Sequence, residues 1–139
     1  MQTKTLQVLK PLFVGLSLFA VLARADAQQS PPLQNKGVAA KPIAAIKNLG
    51  AEIDGMQGRA FGMHMVTIEP GGATALHDHK DRPELLYVSQ GTITEHKDGT
   101  SKEYGPGQAI TATKETTHWL ENKGLSPAAF IGAIIVRQP

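Results

Sequence analysis

Along most of the chain, apolar side chains recur at the two-residue spacing of strands, and turn residues break the pattern at short intervals. Residues 60–69, AFGMHMVTIE, are apolar on both alternating faces, which predicts a strand covered on both sides. Pro70-Gly71-Gly72 is expected to end it, and residues 73–79 to form a second short strand before a turn at Asp81-Arg82-Pro83. Residues 84–90, ELLYVSQ, have the β-branched and aromatic content of a strand that Gly91 closes. Residues 92–96 and 100–104 flank Lys97-Asp98-Gly99, a hairpin signal because Asp-Gly tolerates the positive φ of a tight turn. Gly105-Pro106-Gly107 marks another turn, and residues 108–112, 117–121 and 128–136 complete the set, with a last loop at 122–127. About eight short strands at close spacing predict an all-β sandwich or barrel. Only residues 43–53 are compatible with a helical turn.

The first part of the chain breaks this pattern. Lys4 and Lys10 precede an apolar run at residues 11–23, and two small-x-small sites follow, Ala23-Arg24-Ala25 and Ala25-Asp26-Ala27. This three-part order is that of a secretory signal peptide, expected to span residues 1–27. As a helix, 13 residues reach about 20 Å, short of the ~30 Å hydrocarbon core that a membrane anchor must cross. Residues 28–42, QQSPPLQNKGVAAKP, hold little that can be buried and are expected to be a flexible lead-in. The globular domain is expected to occupy residues 43–139, in an exported protein, periplasmic or secreted, with no membrane association once the leader is cleaved.

Composition narrows the chemistry. The chain has 139 residues, enough after the leader for one modest core. Its formal net charge of +2 comes from the N-terminal segment; the remainder has equal numbers of basic and acidic residues and no basic cluster, so nucleic acid is not an expected partner. Cysteine is absent, which excludes disulfides, thiolate metal sites and a cysteine nucleophile.

The five histidines are where chemistry concentrates. In GGATALHDHKDRPELLYVSQG, His77 and His79 are two residues apart and project to one face of a strand. On the next strand Glu84 shares a face with Leu86 and Val88, so its carboxylate can point inward beside the two rings. In GQAITATKETTHWLEN, His118 shares a face with Leu120 and Asn122. Three imidazoles and one carboxylate suit a divalent transition metal ion, with iron, manganese, nickel, copper, cobalt and zinc all left open. One or two coordination positions would remain for water or substrate. Of the other candidates, His64 reads as a core histidine, His96 as an exposed residue beside the Asp-Gly turn, Trp119 and Tyr87 as packing or dimer-contact residues, and Met56, Met63 and Met65 as core residues.

Together the two segments resemble the two motifs of the cupin family. The first matches fully: Gly71, five residues, His77-x-His79, four residues, Glu84, six residues, Gly91. In the second, Gly107, His118 and Asn122 match, while Thr113 and Glu115 stand where proline and glycine are usual. The resemblance covers roughly residues 60–136 and implies a double-stranded β-helix barrel that binds one metal ion through His77, His79, Glu84 and His118. It further implies a metal-dependent enzyme acting on a small organic substrate, of dioxygenase, decarboxylase or isomerase type. The alternatives are a non-catalytic ligand-binding module and a metal buffer. A homodimer is also expected, because both faces of residues 60–69 are apolar.

Overall fold

A computed structural model describes residues 30–138, so the expected leader at 1–27 lies outside the described residues. Among the described residues nine strands run in chain order: β1 Lys36–Ile46, β2 Arg59–Ala73, β3 His77–Asp78, β4 Glu84–Gln90, β5 Ile93–Lys97, β6 Thr100–Tyr104, β7 Ala109–Ala112, β8 Thr117–Glu121 and β9 Ala128–Arg137. The only helical element among the described residues is a 3-10 turn at Leu49–Ala51, inside the segment expected to allow one.

The hydrogen-bonded order is β6-β5-β8-β2-β9-β4-β7, with β1 added to β2 and β3 added to β8. β2 is the corner. Its residues from Arg59 to Ile68 pair with β9, whereas its last residue, Ala73, pairs with Glu121 of β8. The bend lies at Pro70-Gly71-Gly72, the segment expected to end the strand; here it turns the strand from one half of the barrel into the other. Gly71 takes a φ of +68°, and a Cβ on Gly72 would come within 2.7 Å of the Lys36 carbonyl. The following segment, expected as a strand over 73–79, keeps strand geometry at Ala73, the last residue of β2, and at His77–Asp78.

The two halves close over one apolar core: Val66, Ile68, Leu86, Val88, Ile110, Ala112, Ala128 and Phe130 from the β2-β9-β4-β7 side, and Ile93 and Leu120 from the β5-β8 side. Each large aliphatic side chain fully buried there contributes about 1.5–3 kcal/mol of transfer free energy. The expected all-β barrel is thus the observed one. The Asp-Gly hairpin is also observed, with φ of +51° at Asp98 and +74° at Gly99, the two positive values that a tight primed turn requires.

Residues 36–42 correct the expected lead-in and move the start of the β structure from residue 43 back to Lys36. β1 pairs with β2 from Lys36↔Ala73 to Ile46↔Phe61, with a register shift at Pro42, which has no N–H to donate. All but one of its side chains are exposed. Backbone pairing, which leaves no apolar pattern in the sequence, holds this strand in place.

Candidate metal centre

β3 pairs antiparallel with β8, and that register sets His77 directly opposite His118. His79 follows β3, tied by its own N–H to the Thr116 carbonyl at 3.0 Å. The three rings form a nearly equilateral triangle, with centroid separations of 5.0, 4.8 and 4.9 Å. One ligand atom from each lies within 4.8 Å of the others, a group able to hold a metal ion.

Each ring is fixed from behind. His77 Nδ1 donates to the Ala75 carbonyl at 2.8 Å, and His79 Nδ1 to the Arg82 carbonyl at 2.9 Å. His118 Nδ1 donates to Glu95 Oε1 at 2.7 Å. Carbonyl and carboxylate oxygens only accept, so the proton of each neutral ring sits on Nδ1 and the lone pair on Nε2. Burial lowers the pKa of His77 and of His79, outweighing the backbone hydrogen bonds that raise it, so both rings favour the neutral form. His79 Nε2 and His118 Nε2 then stand 3.0 Å apart. When both rings are neutral with the proton on Nδ1, two lone pairs face each other at that distance, an arrangement that a cation between them relieves. The donor set therefore fits a divalent metal ion, with outer partners of the kind that orient metal-bound histidines.

Glu84, the fourth expected ligand, is buried but stands outside this group of three. Its Oε2 is 3.8 Å from His79 Nδ1, the nitrogen facing away from the other two rings, and its Oε1 is 3.1 Å from His64 Nε2. That approach is not aligned as a hydrogen bond, and Oε1 is a buried oxygen without a donor. Gly132 makes room for the pair, since a Cβ there would collide with Glu84 Oε1 and the His64 ring.

Glu95 is a functional residue that the motifs do not single out. It belongs to neither motif, yet its carboxylate accepts from His118 Nδ1 and, at 3.1 Å, from the Tyr104 hydroxyl. Burial alone would raise its pKa; the hydrogen bond and the electrostatic effect of His118, then the Tyr104 hydrogen bond and the charge of Lys97, outweigh burial and hold the carboxyl below the usual range. Burial and the Glu95 charge push the Tyr104 hydroxyl up. The one available signal was strand parity, because Glu95 alternates with the core residue Ile93 and so had to find a partner inside.

Other expected residues take definite places. Asn122 is buried, donating to the Ile68 and Ser126 carbonyls and accepting from the Gly124 N–H, so it pins the end of β8. At the two departures from the second motif, hydroxyls shape the turn: Thr113 N–H donates to Thr116 Oγ1 and Glu115 N–H to Thr113 Oγ1. Arg82 serves the site through its carbonyl, while its guanidinium holds the Asp78 carbonyl at 2.9 Å. His96 is not exposed as expected. It pairs across strands with Trp119, stacks on it at 3.7 Å and 4°, and reaches Glu121 Oε2 at 2.9 Å. Met63 and Met65, expected in the core, are partly exposed on the outer face of β2.

A cupin-domain family model matches residues 64–134, and the chain belongs to the cupin family. Over 65 residues it is 35% identical to L-ectoine synthase of Bordetella petrii, an overlap of 45% of this chain and 48% of that protein. The chain thus spans about half the length of this curated relative. The polyketide cyclase RemF from Streptomyces resistomycificus superposes with a TM-score of 0.60 at 20% identity, over 76% of this chain and 69% of that one. The cupin domain of an XRE family transcriptional regulator from Enterobacter cloacae superposes with a TM-score of 0.58 at 17% identity, over 75% of this chain and all of that one. At these identities the two structures show the fold alone.

Proposed function

We propose that the barrel holds one divalent transition metal ion through His77, His79 and His118, that the Glu84 carboxylate turns from its place behind His79 to complete the ligand set, and that the protein acts as a metal-dependent enzyme on a small organic substrate. The observation that carries this reading is the orientation of the three rings: every Nδ1 is occupied by an acceptor, which leaves three Nε2 atoms to converge. Two of the similar proteins, a synthase and a cyclase by name, are enzymes. When bound, the metal would supply Lewis acidity or dioxygen activation. The chain's own part is to fix the three rings, to keep water from the floor of the site with Leu86, Val88 and Leu120, and to place the Glu84 carboxylate nearby.

Metal analysis of the purified chain tests the first half. About one ion per chain is expected in the wild type and none in H77A/H79A; equal content in both would refute the site. The second half is tested by turnover of candidate diols, thiols and keto acids by the loaded protein. Ligand binding without turnover would leave the non-catalytic reading, a binding module or metal buffer.

We also propose export and self-association. Export rests on the sequence of residues 1–27 and is tested by N-terminal sequencing of the protein recovered outside the cytoplasm. Self-association rests on the outer face of the β1-β2-β9-β4 sheet. Phe61 stands opposite Ile135, Met63 opposite Ala133 and Met65 opposite Ile131, and Leu85 and Tyr87 continue the rows on β4. Phe61, Met63, Met65, Leu85 and Tyr87 are each more than a third exposed. An exposed apolar patch of this kind, rimmed by Lys41 opposite Met65 and by the Arg59–Arg137 pair, marks an interaction surface that a second copy of the chain can cover symmetrically. Light scattering should give twice the chain mass for the wild type and one chain mass for M65K; a monomeric wild type would refute the dimer.

A further inference from the structure

The barrel is not hydrogen-bonded all the way round. β6 and β7 are the two ends of the strand order and do not pair with each other. Against them lies a groove of about 390 Å³ lined by Glu95, Lys97, Thr100, Lys102, Tyr104 and Thr111. This volume is within the ~300–1,000 Å³ typical of small-molecule pockets. The cross-strand register explains why these side chains meet. Lys97 stands opposite Thr100 and Glu95 opposite Lys102, so all four share one face of the β5-β6 hairpin. That face also carries His118, opposite Lys97 on β8.

The charge in the groove is unevenly committed. Both oxygens of Glu95 are engaged, one by His118 and one by Tyr104. The two ammonium groups make no close ion pair: among the described residues, no carboxylate lies within 4.0 Å of Lys97 or Lys102, and Lys97 acts on Glu95 only from beyond that distance. Lys102 is nevertheless steadied, its Nζ lying 4.7 Å from the centre of the Tyr104 ring. Lys97 is half-buried, where its charge is less screened than on an open surface.

We propose that this groove is a binding site for a small oxyanion, the carboxylate or phosphate group of a small molecule, held between Lys97 and Lys102 with Thr111 lining the groove as well. Lysine binds such groups as a point charge and needs no fixed fork geometry, which suits a groove open on one side. The site lies on the Nδ1 side of His118, where Glu95 sits, and does not depend on the barrel holding a metal. An anion there would be one residue, Glu95, away from a proposed metal ligand.

Amide chemical shifts of the full chain, titrated separately with inorganic phosphate, acetate and malonate, test this. Saturable shifts at Lys97, Thr100, Lys102 and Thr111 are expected with phosphate or with a carboxylate, and the responding anion identifies which chemistry the groove takes. Reversing the exposed charge, K102E, should weaken binding at least about tenfold, and K97M should do likewise. H77A/H79A should bind within about twofold of the wild type, because neither histidine lines the groove. No saturable shift with any of the three anions would overturn the proposal. So would equal affinity in K102E and K97M, or loss of binding in H77A/H79A, which would place the anion at the histidines instead.

Discussion

Two polar groups share the barrel interior and are built differently. The three imidazoles of His77, His79 and His118 each have an acceptor behind them, so their orientation is set before any ligand arrives. The Glu84–His64 pair has no such backing: Glu84 Oε1 is buried without a donor, and Gly132 leaves the space in which it sits. The first group is preorganised, so a bound ion meets rings that need little rearrangement. The second holds an unmet demand for a donor or a cation, at a cost of about 1–3 kcal/mol for a buried polar atom left unsatisfied.

The sharpest way to break this contrast is to remove the rings. H118A, or H77A/H79A together, should reduce bound metal from about one ion to less than a tenth of an ion per chain by elemental analysis. Next comes the backing. E95Q keeps the shape of the side chain but removes its charge, and the metal Kd, read by competition with a chelator, should weaken about 10- to 100-fold. G132A forces a methyl group against Glu84 and His64 and should cost about 1–3 kcal/mol of unfolding free energy in denaturant titrations. E84Q separates the two groups most directly. In the metal-free protein it should be neutral or stabilising by up to about 1 kcal/mol, since it removes a buried charge that lacks a donor. In the same variant the metal Kd should weaken; unchanged affinity would remove Glu84 from the ligand set.

The smallest effect is that of pH. His77 and His79 are lowered in the folded chain, so the unfolded chain takes up their protons first as pH falls below the ordinary imidazole value of 6.5. Stability of the metal-free protein should therefore be fully present above that value and decline below it. Glu95, also lowered, adds a further decline below the ordinary glutamate value of 4.5. Melting temperatures recorded from pH 7.5 to 5.5 should fall in the wild type and fall less in H77A/H79A.

Much of the fold can be read from residues and their near neighbours. Strand parity puts Leu86 and Val88 inside, Asp98-Gly99 has to turn, and His77 and His79 share a face, because backbone dihedrals and side-chain alternation are properties of a few consecutive residues. The same local logic failed at β1, whose side chains are nearly all exposed and whose place depends on hydrogen bonds to another strand, β2, across the intervening turn. It failed at His96 too, where the stacking partner Trp119 lies on another strand.

The chain's own order of residues therefore determined the class of architecture, its turns, and which histidines were able to meet. Tertiary structure alone decided that Glu95 backs His118 across 23 positions, that Glu84 stands behind His79 beside His64, and that β6 and β7 leave a charged groove between unpaired edges. The physical reason is reach. Periodicity and turn propensity act over a handful of bonds, whereas the partner of a buried carboxylate or a free strand edge is fixed only when distant segments pack together.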